Sequence, residues 1–103
     1  MDAQLKRGVL SICILKLLED KKRYGYELVK TMQQYFDDTD ESTLYAILRR
    51  LNKEGLTEIY YSDISNGPMR KYYFITDAGK KYLKEQVDSW KYIELVFAQL
   101  GVL

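Results

Sequence analysis

A chain of 103 residues, 47% hydrophobic and 30% charged, predicts a single soluble folded domain with a modest core. No histidine and one cysteine exclude the common zinc constellations and the Ser-His and Cys-His nucleophile pairs, and no apolar run nears the roughly 20 residues that cross a membrane. The net charge of +1 means that affinity for nucleic acid must be argued from where the cations stand.

Residues 5–19 read as a first helix, with Val9, Ile12, Cys13 and Leu17 in mixed helical spacing. Cys13 has no intrachain partner and is read as a buried small hydrophobe in a reducing compartment. Ser11 and Lys16 interrupt this apolar segment, so it is not a signal-peptide core, and a cytoplasmic location is expected. Residues 20–23 form a polar connection. Tyr24-Gly25-Tyr26-Glu27 then opens a second helix with Leu28, Val29, Met32, Tyr35 and Phe36 as its apolar stripe. Tyr24 and Tyr26 are read chiefly as packing residues. The acidic run 37–40 ends this helix, Asp40 suits the N-cap of a third, and Glu41 adds charge at its positive end.

The third helix carries most of the information. Leu44, Ile47, Leu48 and Leu51 recur at the spacing of a buried face. Ser42, Ala46, Arg49 and Lys53 fall opposite them, with Tyr45 and Arg50 on the flanks. A leucine-anchored helix that turns hydroxyls, a small residue and arginine outward suits a DNA major groove. Arginine forks onto guanine edges while hydroxyls and lysine serve phosphates. Gly55 closes the helix.

Residues 56–62 and 69–75 are rich in β-branched and aromatic side chains, and between them Asn66-Gly67-Pro68 carries turn signals. The pair is expected to form a β-hairpin with Arg70 and Lys71 just past its tip, as a phosphate-gripping wing would need. Thr76-Asp77-Ala78-Gly79 caps a last helix running to about residue 100, whose end is apolar nearly all round. One face of that end must find another molecule. Trp90, Ile93, Val96, Phe97 and Leu100 form the expected self-association seam.

The expected fold is mainly α with a small β-hairpin: a winged helix-turn-helix over residues 1–76 and a dimerisation helix over residues 77–103, packed on the same domain. At this point the chain resembles the PadR-like transcriptional regulators, in their short form with one C-terminal helix. The resemblance rests on Tyr24-Gly25-Tyr26-Glu27-Leu28, Thr43-Leu44-Tyr45, Leu48-Arg49-Arg50-Leu51 and Lys53-Glu54-Gly55-Leu56. It continues through Gly67-Pro68-Met69-Arg70-Lys71-Tyr72-Tyr73 and Thr76-Asp77-Ala78-Gly79, so it covers nearly the whole chain in order. Ala46 stands where the family usually has proline. Asp88-Ser89-Trp90 looks like a stretch of multidrug-responsive members in which tryptophans of two subunits line a flat pocket.

The expected function is a homodimeric, sequence-specific repressor that binds double-stranded DNA at an inverted repeat. Its DNA-contacting residues are Ser42, Thr43, Tyr45, Arg49, Lys53, Gly67, Arg70 and Lys71. Tyr45 is open to two roles, a phosphate contact or packing at the core edge; Thr43 either approaches a phosphate or tightens the cap; Arg50 could pair with Glu54. Trp90 is likewise open to two, an interface knob or half of a pocket for a planar aromatic effector with Val87 and Glu94. The rival reading is a winged-helix protein-interaction module whose basic helix meets an acidic partner. No convergent acid pair supports an enzyme, and no cofactor or metal is expected.

Overall fold

The first helix is the axis on which the other elements assemble. The computed structural model describes residues 1–62 and 69–103. Its elements are α1 (Ala3–Asp20), β1 (Arg23–Tyr24), α2 (Gly25–Tyr35), α3 (Glu41–Lys53), β2 (Thr57–Ser62), β3 (Arg70–Ile75) and α4 (Asp77–Leu100). α1 begins earlier than the apolar pattern indicates because the Asp2 carboxylate accepts the amides of Gln4 and Leu5 at 2.9 and 3.2 Å.

α1 buries Leu10, Ile14, Leu15 and Leu18 against Leu28, Val29 and Met32 of α2 and Leu44, Ile47, Leu48 and Leu51 of α3. Ile12, Cys13 and Leu17 lie half-buried on another side of the same helix. A helix covered on two sides shows no single stripe, which explains its mixed spacing. Cys13 is half-buried, and that burial pushes its thiol pKa up, so it is a poor nucleophile.

The wing is wider than a hairpin. Its sheet has three antiparallel strands in the order β1-β3-β2, with Arg23 opposite Tyr73 and Tyr24 opposite Tyr72. β2 and β3 pair from Thr57–Ile75 to Ser62–Arg70. A two-residue strand has no periodicity to declare it. It is fixed by tertiary bonds, including the Arg23 Nε donation to the Leu17 carbonyl at 3.2 Å.

Two glycines are required by geometry. Gly55 has a φ of 79°, the left-handed conformation that ends α3. At Gly79 an added Cβ would run into the Leu56 carbonyl, so only glycine lets α4 start against the end of α3. Thr76 locks the same junction: its hydroxyl accepts from Gly79 N at 3.0 Å and donates to the Gly55 carbonyl at 2.7 Å. α4 buries Gly79 and Leu83 against the body, and its 24 residues extend about 36 Å. The long dimension of the molecule is consequently 56 Å against 30 and 21 Å across.

Candidate nucleic-acid interface

α3 is held by its leucines and turns the other side to solvent. Ser42, Ala46, Arg49 and Lys53 form an exposed ridge, with half-buried Tyr45 and Arg50 on opposite flanks. The first turn is fastened by Asp40, whose carboxylate accepts Thr43 N at 2.9 Å and the Ser42 hydroxyl at 3.0 Å. Hydrogen bonds from Thr43 first, then Ser42, hold the Asp40 carboxyl below its ordinary 3.8. Ser42 thus directs its proton into the cap, while Thr43 stays exposed beside it. Glu41 is tied to α2 through Lys30 Nζ at 2.6 Å.

On one flank α3 meets the wing across a cleft of about 340 Å³. Tyr45 and Arg49 line it from α3, Arg70 and Lys71 from β3, Tyr24 from the end of β1 and Tyr26 from the first turn of α2. The Arg70 guanidinium lies 4.8 Å from the Tyr24 ring centroid, and Lys71 Nζ lies 5.7 Å from that of Tyr73. Ring contacts hold these cations in place without neutralising them. Among the described residues, neither they nor Arg49 and Lys53 have an acid within ion-pair distance. Tyr24 provides no side-chain cap to α2.

Tyr45 packs against the core edge, one of its two open roles, and also lines this cleft. Burial first, and then the charge of Glu41, raises its phenol pKa, so the hydroxyl keeps its proton. Arg50 turns away to donate to the buried Ser11 hydroxyl of α1, with Glu54 at 3.9 Å. Tyr26 is not the packing residue expected: it is 55% exposed and carries Lys30 Nζ at 5.2 Å over its ring. The sequence hid the cleft roles of Tyr24 and Tyr26 because β1, which brings the start of α2 beside β3, left no pattern. Gly67 lies outside the described residues.

The far end of α4 is a separate surface. Trp90 is 38% and Leu100 73% exposed, Ile93 is exposed too, and Val96 and Phe97 are half-buried. Trp90 faces an apolar hollow of about 290 Å³ shared with Val9, Ile12 and Cys13 of α1. Val87 lines a different hollow, with Ile12 and Lys16, and Glu94 lines neither. Within one chain the three are therefore not gathered into one pocket. Among the described residues no three side chains are grouped to hold a metal ion, and no helix is long and apolar enough to cross a membrane.

Against this geometry the comparisons with known proteins are direct. The model of the transcriptional regulator PadR-like family matches residues 14–85. This chain belongs to that family. A PadR-like transcriptional regulator of Bacillus cereus is 37% identical, with a TM-score of 0.83 over 95% of this chain and 96% of that one. A PadR family transcription regulator of Clostridium difficile is 36% identical, with a TM-score of 0.80 over 88% of this chain and 96% of that one. An uncharacterized protein of Lysinibacillus sphaericus is 45% identical over 87 residues, 82% of this chain and 80% of the relative. As a PadR-like protein the chain is a transcriptional regulator with the family's winged helix fold. The whole wing-side cleft falls inside the matched span, whereas Trp90 and the rest of the α4 seam lie beyond it.

Proposed function

We propose that this PadR-like regulator is a homodimeric, cytoplasmic repressor that binds duplex DNA with sequence specificity. The observation that carries the reading is the convergence of Arg49, Arg70 and Lys71 on one cleft beside the exposed ridge of α3. The ridge enters the major groove, where Arg49 reads a base edge and Thr43, Tyr45 and Lys53 meet the backbone, with Ser42 at the first turn. Arg70 and Lys71 grip an adjacent strand, and Gly67 shapes the wing tip. Residues 1–76 form the reading unit, and residues 77–103 join two copies through Trp90, Ile93, Val96, Phe97 and Leu100. Two-fold symmetry then calls for an inverted repeat with half-sites about 10 base pairs apart.

A planar aromatic effector that enters between the two Trp90 side chains, beside Val87 and Glu94, would change the spacing of the reading helices and release the operator. The apolar surroundings and partial exposure of Trp90 support that step. As Trp90 is the only tryptophan, quenching of its fluorescence by a planar cationic aromatic at micromolar levels reports the site directly. Ligand affinity that survives Trp90→Ala in an intact dimer, read by a fluorescent ligand, removes the pocket from the proposal.

The central test is duplex selection from a random pool, followed by titration of the recovered duplex across salt. A DNA reader loses affinity steeply and linearly in log salt, and it prefers the selected duplex to a scrambled one. Flat salt dependence with no preferred duplex would overturn the DNA reading and leave the protein-interaction module as the rival to pursue.

A further inference from the structure

We infer that a second DNA-phosphate seat, centred on Arg7, lies on the flank of α3 opposite the wing. The inference rests on the DNA-binding reading above and extends it to α1, to which that reading gives no DNA contact. A cleft of about 300 Å³ runs between α1 and α3, lined by Lys6, Arg7 and Leu10 on one side and Thr43, Ala46 and Arg50 on the other.

The position follows from helical geometry. At 100° per residue, Arg50 lies about 140° around α3 from Tyr45, with the exposed ridge between them. Tyr45 lines the wing-side cleft and Arg50 the α1-side cleft, so α3 is bordered by a cationic hollow on each flank. A helix with its side chains is about 10–12 Å across, and the major groove is about 12 Å wide. Hollows on the two flanks of a helix seated in that groove therefore face the two phosphate strands that bound it.

The charges in the cleft are unequally available. Lys6 Nζ is held by the Asp38 carboxylate at 3.2 Å and the Asp38 carbonyl at 3.3 Å. Arg50 donates to Ser11 and has Glu54 at 3.9 Å. Arg7 is exposed and, among the described residues, has no acid within ion-pair distance. Its backbone carbonyl accepts the Ser11 hydroxyl at 3.1 Å, which fixes that turn of α1 to Arg50 while the guanidinium stays unpaired among the described residues. Small and apolar Ala46 and Leu10 leave the hollow open between these cations. An unpaired guanidinium with two partly engaged cations suits a diester phosphate, which accepts at two oxygens.

Arg7→Ala removes the guanidinium and keeps the carbonyl that Ser11 uses, so the α1–α3 tie survives. Anisotropy titrations with the selected duplex and a scrambled one, from 0.05 to 0.3 M NaCl, should show weaker binding of both, and for two subunits at about 0.9 counterion each the deficit at the low end should exceed that at the high end by about 25-fold. The log–log salt slope should flatten by about 1 per subunit, and base preference should stay as in the parent. Arg7→Lys should restore most of the slope. A parent-like slope for Arg7→Ala overturns the second seat and leaves the DNA reading standing, as does a change in base preference without a change in slope. Failure of the parent protein to bind any duplex overturns both, and it is seen before a variant is measured.

Discussion

Replacing Arg70 and Lys71 together by alanine puts the wing to a quantitative test. Both side chains are exposed, and neither has an acid partner among the described residues, so each removal subtracts a full positive charge. For the proposed two-fold complex, two cations per subunit make four per operator. At about 0.9 counterion per phosphate contact, the log–log slope should become shallower by roughly 3.6. Over a fourfold rise in salt, from 0.05 to 0.2 M, the deficit of the variant relative to the parent should therefore shrink by about two orders of magnitude. Anisotropy titrations at four or five salt concentrations resolve such a change, and the same data on a scrambled duplex should show the same shift. The fold should survive, because the ring contact of Arg70 with Tyr24 at 4.8 Å contributes only about 0.5–1 kcal/mol, which a thermal melt can verify. A folded double variant with the parental slope would refute the reasoning and take the wing out of the interface.

Other outcomes follow from the same geometry. Arg49→Ala should cost specific binding about 1–3 kcal/mol and relax preference at one position per half-site, checked by titrating single-substitution duplexes; unchanged preference would mean that Arg49 reads no base. Thr76→Ala loses both the cap to Gly79 N and the bond to the Gly55 carbonyl, so denaturant unfolding should show about 1–2 kcal/mol of lost stability, mostly restored by Thr76→Ser. Because the Asp40 carboxyl is held below 3.8 in the folded chain, its contribution is complete above that value and lost as pH falls through the lower folded value. Asp40→Ala should accordingly flatten the fall of stability below about pH 4 in acid titrations followed by circular dichroism, and an unaltered acid limb would assign that fall to other carboxylates.

The third helix was legible because every level of its sequence agrees. Its four leucine and isoleucine positions are all buried, Asp40 caps it and Gly55 ends it at positive φ. Such agreement between local preference and tertiary role makes a segment readable without neighbours. β1 is the opposite case. Arg23 and Tyr24 become a strand only because Tyr73 and Tyr72, far along the chain, come to pair with them. From that unreadable pairing follow the three-stranded sheet and the approach of Tyr24 and Tyr26 to Arg70. Arg7 was equally silent: a lone arginine near the start of a helix looks like any solvated side chain until α1 is laid against α3.

A chain with a net charge of +1 can still present a cationic face, and its acidic run explains how. Asp38 binds Lys6 and the N-terminal amine at 3.2 and 3.3 Å, Asp40 caps α3, and Glu41 pairs with Lys30. These acids are committed to fixing the entry of α3 and its neighbours. Exposed pairs of this kind add little stability each. Their consequence is spatial: they gather negative charge at the start of the helix and leave Arg7, Arg49, Lys53, Arg70 and Lys71 without acid partners among the described residues. With a screening length of about 8 Å at physiological salt, a surface is sensed locally rather than through the total charge. The near-neutral composition and the cationic cleft are thus compatible. Among the acids that bring the total close to zero, Asp38, Asp40 and Glu41 also hold the candidate reading helix where its arginines can be used.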